Sequence, residues 1–177
     1  MSTPPREQGR IYKKRFIDSH REQGLCIECI NPLDRKGSRC SRCLDRRRKR
    51  YAQRRIENAT NGLCALCSGQ KLDGHRCCQK CYLKQVSLGH LGTATRWREL
   101  LDLFYKQNGI CALSGLPLTL GDNADLDHII PTARGGGNDL DNLQWVLDSV
   151  NHMKNNLLEN EFLELISSIY LYKKGGH

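Results

Sequence analysis

Apolar positions recur at helical spacing in two stretches of the second half of the chain. In Thr95–Asn108, TRWRELLDLFYKQN, they are Trp97, Leu100, Leu101, Phe104 and Tyr105, which predicts an amphipathic helix capped by Thr95 and ended at Gly109. In Asn160–Tyr172 they are Phe162, Leu165, Ile166, Ile169 and Tyr170. This helix is expected to pack opposite the first, with Glu159, Glu161 and Glu164 turned to solvent. Between the two, Asp125–Ile130 and Leu143–Val146 read as short strands. They are joined by Pro131–Asp141, whose glycines 135–137 supply positive φ where the turn needs it. A further helix is expected from near Asp148, carrying Asn151, Lys154 and Asn155 on neighbouring turns.

Upstream the pattern is poorer. Leu44–Asn58 has helical propensity, but its apolar stripe is only Leu44, Tyr51 and Ile56. Residues 6–22 interleave Ile11, Phe16 and Ile17 with six basic residues and read as a basic arm or helix. Gly89, Gly92 and Thr93 suggest a hinge or linker after Cys81.

Composition adds the polarity. Hydrophobic residues are 38% of 177, and no run is long and apolar enough for a membrane span. The N-terminus lacks the apolar segment of a secretory signal, so a cytoplasmic, nucleoid-associated or organellar protein is expected. Net charge is +9, but residues 1–92 hold 21 basic and 8 acidic residues and the remainder is acidic. A basic front half points to a polyanion such as double-stranded DNA. Arg46, Arg47, Arg48, Lys49, Arg50, Arg54 and Arg55 are the candidate phosphate contacts.

Ten cysteines without an export signal argue for metal rather than disulfides. Cys26-x2-Cys29 and Cys40-x2-Cys43 are ten residues apart. Cys64-x2-Cys67 and Cys78-x2-Cys81 repeat the arrangement 38 residues later. Each set offers four thiolates to one tetrahedral Zn²⁺ and leaves no open position, so both zincs are expected to be structural. Cys77 lies beside the second set, and the repeat register favours Cys78. The module entrance occurs a third time at Gly109–Ser114, where the second cysteine has become Ser114.

Candidate chemistry gathers in Asp127–Lys154. Asp127 and His128 are adjacent and, in a strand, point to opposite faces. Asn142 precedes the second strand, and Asn151 and Lys154 lie three residues apart. Carboxylate and amide oxygens suit Mg²⁺ or Mn²⁺ better than a structural zinc, and an imidazole suits a base near neutral pH. The order DH, Pro, glycine-rich turn, Asn-Leu and N-x-x-K resembles the HNH (ββα-metal, His-Me finger) endonucleases over roughly Gly109–Leu171. The resemblance implies His128 as general base, Asp127 and Asn151 as metal ligands, and Asn142 as the residue that holds the loop and helps orient the histidine. Lys154 would contact phosphate or stand behind the ligands, and Asn155 or His152 would be a further candidate ligand. Many members brace the fold with a zinc on two CxxC pairs. Here the second pair would fall at Leu147 and Val150, so that zinc is expected to be lost, leaving Cys111 a buried free thiol beside an apolar contact.

The expected fold class is α+β: a small ββα-metal nuclease domain preceded by two four-cysteine zinc modules joined by a basic helix. The expected segments are an arm or helix (1–23), module one (24–44), the Arg-rich helix (45–61), module two with linker (62–92) and the nuclease domain (93–177). The expected function is metal-dependent DNA cleavage of the homing type, by a monomer or homodimer with two structural Zn²⁺ and one catalytic Mg²⁺ or Mn²⁺. A restriction endonuclease, a non-catalytic zinc-dependent nucleic-acid-binding protein and an RNA substrate remain alternatives.

Overall fold

The computed structural model describes residues 5–175. The chain divides into two compact units, Met1–Glu57 and Asn58–His177. Among the described residues no helix is long and apolar enough to cross a membrane.

In the first unit, helix α1 (Pro5–Glu22) leads into a tight knuckle, and α2 (Ser41–Thr60) follows. Gly24 turns the chain at φ 66°, a conformation that favours glycine. The Cys26 N–H then donates to the Asn31 carbonyl, and Leu25 bridges Pro32. The α2 helix starts earlier than its propensity alone suggests, because the Asp34 carboxylate accepts the Ser41 N–H at 2.8 Å. Its buried cluster is Cys26, Cys40 and Cys43, with Cys29 and Leu33 against it. So small an apolar core implies that metal supplies much of the folding free energy.

The second unit repeats the knuckle after Gly62 (φ 67°), with Cys64 N–H donating to Gly69 and Leu63 bridging Gln70. Cys78 opens α3 (Gln79–Leu91). The expected hinge after Cys81 is therefore helical up to Leu91. Leu83 on α3 is fully buried in the main core, and the Tyr82 hydroxyl donates to the Ala124 carbonyl at 3.1 Å. These contacts make the second module part of the same compact unit as the hairpin, and the turn comes only at Gly92 (φ 68°).

Thr93, not Thr95, caps the short 3₁₀ turn Ala94–Arg96, which runs into α4 (Trp97–Lys106). Leu100 is its buried anchor, while Tyr105, expected on the core stripe, is 60% exposed. Strands β1 (Ala124–His128) and β2 (Leu143–Leu147) pair antiparallel, with Leu126 opposite Trp145 and Asp127 opposite Gln144. One face of the hairpin meets α4 through Leu126 and Trp145. The indole N–H donates to the Leu100 carbonyl, and the Gln107 side chain hydrogen-bonds both the N–H and C=O of Trp145. The other face meets α5 (Asp148–Lys154).

Helix α6 (Glu159–Lys174) departs from expectation. Phe162 alone is buried, whereas Leu165, Ile169 and Tyr170 are each about half exposed. Glu161 does not face open solvent. It pairs with both Arg134 terminal nitrogens at 3.0–3.2 Å and accepts the Leu158 N–H, tying the hairpin loop to the start of α6.

The third copy of the entrance is a structural copy. Gly109 has φ 65°, Ile110 bridges Pro117, and Cys111 N–H donates to Leu116. The exit repeats as well. Ile27 and Ala65 donate to Ser38 and Arg76, each two residues before the second cysteine pair, and Ala112 donates to Trp145, two residues before Leu147. Leu147 thus occupies the place of Cys40 and Cys78, and α5 starts where α2 and α3 start.

Candidate active site and metal centres

The four sulfurs of Cys26, Cys29, Cys40 and Cys43 lie within 4.8 Å of one another, as do those of Cys64, Cys67, Cys78 and Cys81. The Cys29–Cys40 and Cys67–Cys78 separations are 3.5 and 3.4 Å. Disulfides need about 2 Å, whereas a tetrahedral ion with bonds near 2.3 Å holds sulfurs about 3.8 Å apart. Charge tells the same story. Burial opposes ionisation of Cys26, but N–H groups of Cys40, Glu28 and Cys29 bring its pKa down to about 6. The Cys29 thiol, then burial and the remaining thiols, push Cys43 up to about 12. Four thiols this close do not all ionise without a cation among them, so both sets fit a bound metal. Cys77 is buried outside its set, 3.5 Å from the Gln85 amide.

At the third copy, Cys111 is 2% exposed and accepts N–H groups from Ser114 (3.4 Å) and Leu147 (3.3 Å). Burial opposes its ionisation, yet these hydrogen bonds leave the pKa lowered. Leu147 packs on the core as expected. What holds this knuckle is a hydrogen-bonded sulfur as well as an apolar contact.

The hairpin and α5 enclose a cleft of about 430 Å³ that includes Asp125, Asp127, His128 and Asn151 in its wall. Strand alternation puts Asp125 and Asp127 on the face toward α5. Asp127 is 5% exposed and Lys154 has no exposed surface. The Lys154 ammonium lies 3.1 Å from Asp127 and donates to the His128 carbonyl at 2.9 Å. Gln144, directly across the ladder, donates to Asp127 Oδ2 at 3.0 Å. Lys154 therefore stands behind the carboxylate, with its head group buried. Asn151 Nδ2 donates to Asp125 Oδ2 at 2.7 Å, which leaves the amide oxygen as an acceptor. Two carboxylates, only one of them paired with the buried ammonium, leave net negative charge on an oxygen-rich wall. That donor set fits a hard divalent cation.

His128 is half-buried, with Nε2 2.9 Å from Asn138 Oδ1. Asn142 secures the loop: Oδ1 accepts the Ile130 N–H, and Nδ2 donates to the carbonyls of Ile130 and Gly137. Gly137 adjoins Asn138, so the chain of bonds runs from Asn142 through the loop to the imidazole. Gly136 has no room for a side chain, since a Cβ there would overlap the Ile130 carbonyl oxygen. His152 is exposed with Nδ1 on the Asp148 carbonyl, and Asn155 ends α5 at φ 48°. Both line the cleft.

Four residues of the site lie outside the sequence expectation: Asp125 and His90 line the cleft, and Gln144 and Asn138 bond to Asp127 and His128. Asp125 was legible from the two-residue strand period, and Gln144 from the hairpin register. Asn138 and His90 carried no local signal. The His90 ring, on the last turn of α3, lies 5.5 Å from that of His128.

The seven basic candidates lie on α2. Arg47 is tied to Glu28 and Tyr51, and Arg46 donates to Cys43 Sγ at 3.3 Å. Lys49, Arg50 and Arg55 are exposed and make no ion pair among the described residues.

A two-stranded hairpin crossed by a short helix, with histidine and oxygen donors in the cleft between, is the ββα-metal class of site. Residues 111–158 match the HNH endonuclease family, and the chain carries an HNH domain preceded by two four-cysteine clusters. No curated protein matches the chain.

Proposed function

We propose that the protein is a metal-dependent endonuclease that cleaves duplex DNA, directed to it by the basic zinc-module half, in the manner of a homing-type enzyme. The observation that carries this reading is the cleft where His128, Asp127 and Asn151 converge within the HNH match. With Nε2 held by Asn138, His128 keeps Nδ1 as the atom that takes a proton from water. That water then attacks phosphorus in line with the leaving 3′ oxygen, the P–O3′ bond breaks and the 3′ oxygen takes a proton from solvent, giving a 5′-phosphate and a 3′-hydroxyl. Asp127 and Asn151 are the residues that would hold Mg²⁺ or Mn²⁺, which supplies charge neutralisation at the leaving oxygen when bound. Lys154 and Gln144 fix the Asp127 carboxylate, and Asn142 fixes the loop behind His128. Zn²⁺ is the ion proposed for both four-cysteine sets, since thiolate tetrahedra suit it.

The test is nicking of supercoiled plasmid with Mg²⁺, with EDTA and with His128→Ala. Metal-dependent nicking that His128→Ala lowers by at least about 100-fold is expected. DNA binding with no cutting in any metal would overturn the enzyme reading in favour of a binding protein. Preferential cutting of structured RNA in a competition assay would replace the substrate.

A further inference from the structure

The α3 helix ties the second four-cysteine cluster to the cleft. Cys78 caps its first turn and Cys81 lies within that turn; His90 occupies its last. Between them, Leu83 and Ser87 are fully buried, and the Ser87 hydroxyl donates to the Thr93 carbonyl at 2.5 Å. Gly92 then ends the helix in the left-handed region. The C-terminal turn is thereby fixed against the core, and with it the direction of the His90 side chain.

His90 lines the same cleft as Asp127, His128 and Asn151. Its ring is tilted 31° from that of His128 at a centroid distance of 5.5 Å, a ring contact that sets the two imidazoles side by side at the cleft. Among the described residues neither ring nitrogen has a hydrogen-bond partner, and no buried side-chain nitrogen or oxygen lacks one, so both nitrogens keep contact with solvent. Among the described residues no lysine or arginine lines the cleft to meet an incoming phosphodiester. Lys154 is spent on Asp127, and Arg134, on the loop, is spent on Glu161. An imidazole N–H is a donor that serves a phosphate oxygen without carrying charge.

We infer that His90 is a further catalytic residue, donating a hydrogen bond to a non-bridging oxygen of the scissile phosphate from the wall opposite α5. This rests on the cleft being the cutting site. The helix that begins at the second metal cluster thus ends at the reacting phosphate.

The experiment measures single-turnover cutting of a duplex oligonucleotide spanning the strongest site mapped on a plasmid, by the full chain in Mg²⁺. Wild type, His90→Ala, His90→Gln and His128→Ala are compared, with DNA affinity in Ca²⁺ and zinc content measured for each. The His90 variants are expected to cut roughly 100- to 1,000-fold more slowly at unchanged affinity and zinc content, in keeping with loss of one transition-state donor. The contact itself is read with sulfur in place of each non-bridging oxygen at the scissile position. One of the two substitutions should slow the wild type and add little to the deficit of His90→Ala. Wild-type rates in both His90 variants, or sulfur effects that simply multiply with the variant, would overturn the inference while the loss at His128→Ala left the site reading intact. Undiminished cutting by His128→Ala would overturn the site reading and this inference with it.

Discussion

Lys154 shows how much one residue's meaning depends on where its head group lies. In the sequence it trails Asn151 by three positions and was expected to contact phosphate or stand behind the ligands. Its ammonium is fully buried, bonded to Asp127 and the His128 carbonyl. Removing one partner of such a pair strands the other charge and costs about 3–5 kcal/mol. Lys154→Met is therefore expected to lower stability in urea unfolding by that amount, and cleavage with it. Asp127→Asn should cost a similar amount, because it leaves the buried Lys154 ammonium without its countercharge and turns an NH₂ toward one of the two donors, Gln144 or Lys154. Asn142→Ala removes three hydrogen bonds from the loop that positions Asn138 and His128. It is expected to reduce stability by about 2–3 kcal/mol and to slow cutting more than it weakens DNA binding, measured by single-turnover kinetics beside affinity in Ca²⁺.

At the scale of elements, one supersecondary unit accounts for most of the chain. A helix, a glycine turn, a Cys-led knuckle and a second helix occur at Gly24, Gly62 and Gly109. In the third the chain between knuckle and helix is lengthened to hold the β1–β2 hairpin. Leu147 and Val150 stand where the second thiolate pair would, and only Cys111 remains. Metal analysis of the purified protein is therefore expected to find about two zinc ions per chain, and three would refute the lost site. Cys111→Ala should leave that count unchanged and cost about 1–3 kcal/mol, from the two N–H groups it would leave without an acceptor. The two clusters differ in what depends on them. Cys64→Ser, in the unit that holds the cleft, is expected to abolish cutting. Cys26→Ser is expected chiefly to weaken DNA binding, seen as a raised Kd with residual cutting at high enzyme concentration.

Across the whole molecule, charge is divided by task. The basic residues concentrate before residue 93, and α2 alone presents seven between Arg46 and Arg55. A helix of this length spans about 30 Å, enough to follow several phosphates. Replacing Lys49, Arg50 and Arg55 with alanine should reduce the slope of log affinity against log salt by about 2–3, with little change in the cutting rate at saturating enzyme. The sequence by itself determined the metal clusters, the helix propensities and the ββα order. Each of these is written in local spacing: two thiolates per turn, an apolar period of 3.6, a glycine where φ is positive. The tertiary structure decided what local spacing does not encode. Whether Lys154 faced water or Asp127 depended on α5 crossing the hairpin. Whether residues 82–91 were a hinge depended on Leu83 finding the core. His90, some forty positions from the motif, reached the cleft because α3 packs against α4 and bonds to Ala124 through Tyr82, and no pattern along the chain records that packing.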